Sequence, residues 1–164
     1  MVARDYMTEN YPDRLHLRRL ENTKRQPLIF ITICALNRNE CLILPAVYSA
    51  IEECLKKSES MYGWETGKFV VMPDHIHFFC RPKEESVSLS VFVGRFKSWT
   101  QKAAKESGCC ARLWHKEFFD HILRNRESYS KKWEYVQMNP VRAGLCRKPE
   151  EWKYQGEISR IEIR

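Results

Sequence analysis

Two histidines separated by a single residue, His75 and His77, open the run His75-Ile76-His77-Phe78-Phe79-Cys80. Read as a strand, the run puts successive side chains on opposite faces, so both imidazoles share one face with Cα atoms about 6.6 Å apart. Ile76, Phe78 and Cys80 take the other face. That spacing lets two imidazoles hold one divalent cation, and it equally describes two polar residues on a half-exposed strand. A second pair, Tyr135 and Asn139, lies four residues apart in a helical stretch, where i and i+4 side chains sit roughly 5–6 Å apart. A nucleophile and a neutral oxygen ligand would then share one helix edge. A phenol with a pKa of about 10 attacks poorly unless a cation or base favours the phenolate, and a metal also withdraws charge from a phosphate under attack. The same two residues fit a plainer role, with Tyr135 extending the apolar stripe Tyr129, Trp133, Val136 and Pro140 and Asn139 capping the helix end.

The elements that must position these residues follow from periodicity. Leu28 to Ala35, opened by Pro27 and rich in β-branched and aromatic residues, reads as a buried first strand. Pro45 suits a first helical position, and Val47, Ile51, Cys54, Leu55, Ser58 and Tyr62 recur at helical steps until Gly63, which predicts a helix over about 45–61. Lys68 to Met72 and His75 to Cys80 form two strands around the Pro73-Asp74 break, a hairpin. Leu89, Phe92, Val93, Phe96, Thr100 and Ala103 mark a second helix ending at Gly108. Phe118 to Leu123 reads as a fourth strand, and Asn125 caps a last helix running to about Met138 before Asn139-Pro140. The order β-α-β-β-α-β is the split βαβ, ferredoxin-like α+β arrangement, with two helices on one face of an antiparallel sheet and the tyrosine-bearing helix on the other.

Composition bounds the rest. With 164 residues, 43% of them apolar and 30% charged, 6 Gly and 7 Pro, the chain is too apolar for disorder and too mixed for a fibre. One domain over residues 1–164 is expected, with 1–27 a basic arm or edge segment carrying Arg14, Arg18, Arg19, Lys24 and Arg25, and 146–164 a C-terminal tail. The formal charge of +7 favours a polyanionic partner. The seven cysteines include no C-x-x-C pair, several lie in apolar runs, and Cys109 and Cys110 read as loop or core thiols, which fits a reducing cytoplasm. No apolar signal segment opens the sequence and no run approaches the roughly 18 apolar residues of a membrane span.

The strings Val71-Met72-Pro73-Asp74-His75-Ile76-His77 and Tyr135-Val136-Gln137-Met138-Asn139-Pro140-Val141-Arg142-Ala143-Gly144-Leu145 resemble the two signatures of the single-tyrosine HUH transposases, in particular the REP-associated tyrosine transposase branch. Leu89 to Thr100, with Lys97, is similar to that family's second helix, and Trp114 to Arg124, including Phe118-Phe119-Asp120-His121, to its fourth strand. The resemblance implies a metal-dependent endonuclease and transposase that cuts and rejoins single-stranded DNA beside REP-like palindromic hairpins through a 5′-phosphotyrosine. Tyr135 would be the nucleophile and His75, His77 and Asn139 the ligands of Mg²⁺ or Mn²⁺, a hard ion suited to an asparagine oxygen. Asp74 stands where relatives often carry Asn, beside the metal or capping the turn.

Arg95, Lys97, Arg124 and Arg142 are the candidate contacts to DNA phosphates, each also readable as a solvated charge. Trp99, Trp114, Phe119 and Trp133 are candidates for stacking on unpaired bases, each also readable as core. His115 and His121 could assist proton transfer to the leaving oxygen. The resemblance also favours a monomer, with a dimer as the alternative since single-tyrosine relatives include domain-swapped dimers, and a cytoplasmic setting on nucleoid DNA. The rival readings are a non-cleaving DNA- or RNA-binding module that keeps the fold, and a hydrolase of small phosphoesters that forms no protein–DNA bond.

Overall fold

In the computed structural model, which describes residues 26–163, the apolar alternation of the chain becomes a five-stranded sheet between two helical layers. The elements in chain order are β1 (Leu28–Cys34), α1 (Pro45–Tyr62), β2 (Trp64–Val71), β3 (His75–Pro82), α2 (Leu89–Glu106), β4 (Phe119–Leu123), α3 (Arg126–Gln137), α4 (Asn139–Arg142) and β5 (Gln155–Glu157). The strand order is β4-β1-β3-β2-β5 and all neighbours are antiparallel. The first four strands reproduce the split βαβ order expected from the sequence. The basic arm lies mostly outside the described residues.

Strand alternation divides the core in two. Ile29, Ile31 and Ile33 of β1, Phe69 and Val71 of β2, and Ile76, Phe78 and Cys80 of β3 face one way, where α1 and α2 cover them with Val47, Ile51, Leu55, Phe92 and Phe96. Phe30, Val70 and Phe79 face the other way and meet Val136, with Tyr129 and Trp133 packed around them, so α3 lies across the second face. Helix boundaries have local causes. Pro45 occupies the first turn of α1, and Gly63 ends it in a left-handed conformation (φ 73°). A side chain at Gly63 would also meet the backbone of Ser86 at 2.7 Å, so glycine is required there twice over. Asn125 caps α3 through its side chain, which accepts from Ser128 N at 2.8 Å, while Ser128 Oγ accepts from Asn125 N. Pro140 has no N–H to donate backwards, so α3 stops at Gln137 and a separate turn, α4, begins at Asn139.

Three expectations are corrected. The second strand begins at Trp64, earlier than Lys68, because an irregular register between Thr66 and Phe69 interrupts its alternation. The segment expected as a tail over 146–164 folds onto the sheet: β5 pairs with β2, Trp152 Nε1 donates to Val71 O at 2.9 Å, and Trp152 and Ile161 are buried. Cys109, expected as a free thiol, forms a disulfide with Cys41 across a separation of 68 residues, and Cys110 lies beside it with a free thiol.

Candidate active site

His75 and His77 stand on β3, on the face that α3 crosses, and their rings meet edge to face with centroids 4.8 Å apart. Each has its Nδ1 engaged by a neighbour. His75 Nδ1 lies 2.6 Å from Asp74 Oδ1. Burial alone would raise the Asp74 pKa, but its bonds and charge contacts with His75 and Arg38 outweigh burial and bring it down to about 2. The carboxylate is therefore ionised, the His75 Nδ1–H donates to it, and Nε2 is left as the lone-pair nitrogen when the ring is neutral. His77 Nδ1 lies 2.7 Å from Thr32 Oγ1, the residue opposite it on β1. Burial, then the charges of His75 and Lys132, hold the His77 pKa well below its ordinary value, so this ring is neutral near pH 7.

The helix returns the other two groups to the same place. α3 starts beyond Leu123, at the end of β4 that pairs with Leu28, and its 12 residues span about 18 Å, enough to run back along the sheet toward the histidines. Val136 anchors it on the sheet, and Tyr129 meets Phe79 edge to face at 4.7 Å. The result is an open cleft of about 920 Å³ lined by His75, His77, Tyr135, Asn139, Arg142 and Lys132, with Phe30, Thr32 and Asp74 in its wall. Tyr135 and Asn139 are half-buried, neither lost in the interior. Arg142 links them: its guanidinium donates to Asn139 Oδ1 and to Tyr135 O, and its Cζ sits 4.0 Å from the centre of the Tyr135 ring.

This donor set suits a divalent cation. Two imidazoles with Nδ1 committed elsewhere present Nε2, and the Asn139 amide oxygen already accepts from a cation, the Arg142 guanidinium. The outer partners Asp74, Arg38 and Thr32 supply the support that such ligands need. Arg38 reaches Asp74 Oδ2 at 2.9 Å from a loop in which Asn37 and Arg38 both have positive φ. Sequence reasoning missed Arg38 and Thr32, because only the fold brings them to β3.

Four of the eight residues expected at the site or on DNA form its centre: His75, His77, Tyr135 and Asn139. Arg142 joins them. The other three, expected as contacts to DNA phosphates, lie outside the cleft. Arg95 is exposed on α2, in the layer behind the opposite face of the sheet. Lys97 donates to the carbonyls of His115, Lys116 and Glu117, so it closes a loop. Arg124 stands at the far end of the sheet, beyond Leu123. Of the aromatic candidates, Phe119 lines the cleft, whereas Trp114 is buried and donates to Thr100 Oγ1, Trp99 packs against the helical layer and Trp133 packs on Phe79. His121 lines the cleft and His115 does not; the latter's Nδ1 accepts from Glu117 N. Lys132, which lines the cleft, was also missed, although a lysine inside the apolar stripe of α3 is a readable signal.

Known proteins resemble this chain in sequence and in fold. An uncharacterised protein of Haemophilus influenzae is 25% identical over 171 residues, covering 82% of this chain and 94% of its own length. The REP-associated tyrosine transposase of Escherichia coli K12 is 24% identical over 127 residues, covering 76% of this chain and 73% of its own. Among solved structures, a REP-associated tyrosine transposase bound to a REP hairpin superposes with a TM-score of 0.68 at 22% identity, over 79% of this chain and 75% of that one, which shows the shared fold. The family model for the IS200-like transposases matches residues 26–138, a span from the start of β1 to the end of the tyrosine helix, and the chain belongs to that family.

Proposed function

We propose that this chain is a single-domain strand transferase that cleaves and rejoins single-stranded DNA beside a hairpin, with Tyr135 as nucleophile. The observation that carries the reading is the convergence of His75, His77, Tyr135 and Asn139, drawn from two distant segments of sequence, on one cleft. Similarity to REP-associated tyrosine transposases, one of them solved with a REP hairpin, supports a hairpin-bearing DNA as substrate. All the groups come from one chain, which supports a monomer. Among the described residues no helix is long and apolar enough to cross a membrane, and a DNA substrate goes with a cytoplasmic, nucleoid-associated setting.

In the proposed step, Tyr135 Oη attacks the scissile phosphorus. The Oη–P bond forms as the P–O3′ bond breaks, and the phenolic proton is accounted for on the released 3′-hydroxyl. Mg²⁺ or Mn²⁺ held by His75, His77 and Asn139 would supply the charge withdrawal from the phosphate that makes this attack feasible. Asp74 and Thr32 orient the two imidazoles. Arg142, stacked on the Tyr135 ring, holds that ring in its place in the cleft. Later attack by a 3′-hydroxyl on the phosphotyrosine reverses the chemistry and joins strands.

The test is a hairpin-bearing single-stranded oligonucleotide incubated with the protein and Mg²⁺ or Mn²⁺. Wild type should give a protein–DNA adduct that resists denaturation and disappears with a chelator, and Tyr135→Phe should give none while binding the oligonucleotide as before. A chain that binds the DNA and never forms the adduct is the non-cleaving module instead.

A further inference from the structure

Away from the cleft, three sulfurs converge where two segments distant in sequence meet. Cys41 lies in the loop between β1 and α1, and Cys109 and Cys110 follow α2. Their Sγ atoms all stand within 4.8 Å of one another, and none of the three residues lines the cleft. Cys41 and Cys109 are joined, while Cys110 keeps a free thiol. Backbone contacts independent of that bond also bring the two segments together. Leu36 N donates to Leu113 O at 2.7 Å, and His115 N to Cys34 O at 2.9 Å. Gly108, in a left-handed conformation (φ 71°), turns the chain out of α2, and Cys109 N donates back to Ala104 O at 3.0 Å. Gln101 of α2 holds the next stretch, accepting from Leu113 N at 2.6 Å and donating to Ala111 O at 3.2 Å. On the other side, Leu42 N donates to Pro73 O at 3.0 Å. The three cysteines are therefore kept near one another with or without the disulfide.

Reduction of the disulfide, which takes two electrons and two protons from a thiol or phosphine reductant, turns the cluster into three thiols. Three sulfurs bound to Zn²⁺ at about 2.3 Å stand roughly 3.8 Å apart. That spacing lies within the 4.8 Å the three already span. Thiolates select thiophilic cations over Mg²⁺ and Mn²⁺, which suit the oxygen-bearing set of the cleft. Burial pushes the Cys110 thiol up, so in the absence of a cation it keeps its proton at neutral pH. Cys41 is buried, whereas Cys109 and Cys110 are half-buried and leave a way in. Asn39 Oδ1, 2.6 Å from Cys41 Sγ, sets a neutral oxygen beside the cluster for a fourth position.

We propose that the reduced protein binds one thiophilic divalent cation, with Zn²⁺ the best fit, through the thiolates of Cys41, Cys109 and Cys110. Three thiol protons pass to solvent as three S–Zn bonds form. The cation and the disulfide exclude each other, because both use Cys41 and Cys109. Either one fastens the loop carrying Arg38, the partner of Asp74, to the segment after α2.

The test titrates the whole protein, free of DNA and reduced with a phosphine, with Zn²⁺ and with Co²⁺ as its coloured substitute. Reduced wild type should take up one more equivalent of Zn²⁺ than the oxidised protein, and Co²⁺ should give the near-ultraviolet thiolate charge-transfer band that a histidine and asparagine set cannot give. Cys110→Ser should weaken Zn²⁺ binding at this site on the order of 100-fold, and Cys146→Ser should match wild type. In reduced wild type, Zn²⁺ should shield Cys41, Cys109 and Cys110 from alkylation, mapped by mass spectrometry. A reduced wild type that gives no thiolate band, or in which Zn²⁺ shields other cysteines instead, overturns the proposal, and so does full affinity in Cys110→Ser. Should Cys110→Ser fail to fold, the band and the shielding pattern of wild type decide. With no DNA present, failure here leaves the strand-transfer reading standing, and a protein that forms no DNA adduct leaves this site standing.

Discussion

The two imidazoles of β3 differ in what holds them, and the difference has a pH signature. Asp74 is ionised in the folded cleft with a pKa of about 2, below the ordinary carboxylate range near 4. Its contribution to stability is complete above that ordinary value and is lost as pH falls toward 2. His77 acts at higher pH. Its pKa is well below the ordinary value, so below about pH 6.5 the unfolded chain takes up a proton that the folded cleft refuses. Stability is then full above about pH 6.5 and declines as the pH drops below it, by at most about 1.4 kcal/mol per pH unit for this one group. Urea unfolding of wild type and His77→Gln between pH 7.5 and 5 should show a shallower decline in the variant (roughly one proton fewer taken up on unfolding). Identical slopes would mean that His77 titrates normally.

Among the elements, α3 matters most, since its only link to the histidines is the way it packs. Its first turn is held by the reciprocal bonds of Asn125 and Ser128, and its body by Tyr129, Trp133 and Val136 on Phe79 and Val70. Asn125→Ala removes the acceptor for Ser128 N and should lower stability by about 1 kcal/mol, a fall of about 2–4 °C in the melting midpoint measured by calorimetry. An unchanged midpoint would show that tertiary packing alone fixes the start of the helix. The loop before α1 does comparable work for β3. Ala35 N donates to Asp74 O and Leu42 N to Pro73 O, so the loop that carries Arg38 is fastened to the turn that opens β3.

For the molecule as a whole, the Cys41–Cys109 disulfide joins that loop to the segment after α2 and closes 68 residues that contain α1, β2, β3 and α2. A cross-link of this span restricts the unfolded chain by roughly 4 kcal/mol at most, on the chain-entropy estimate. Urea unfolding of the oxidised protein should therefore show a higher midpoint than unfolding in a thiol reductant, and Cys41→Ser should behave in both conditions like the reduced wild type. Equal midpoints for the oxidised and reduced wild type would show that the two sulfurs are not joined in solution.

Local pattern was enough for the existence of the first four strands and of α1, α2 and α3, and for the pairing of the four cleft residues on shared faces, while the resemblance to a family singled those four out. Alternation put His75 and His77 on one face, helical spacing put Tyr135 and Asn139 on one edge, and β-α-β-β-α-β limited the topology, because each depends only on neighbours along the chain. Contacts between distant segments were not legible in this way. Thr32 supports His77 through sheet register, Arg38 reaches Asp74 across 36 residues, and β5 and the disulfide have no local signature. The basic residues show the division most clearly. A positive charge reads the same on any helix, and only the layer against which that helix packs decides whether it faces the cleft. Lys132 faces it from α3, Arg95 points away from the sheet on α2, and Lys97 is taken up by loop carbonyls.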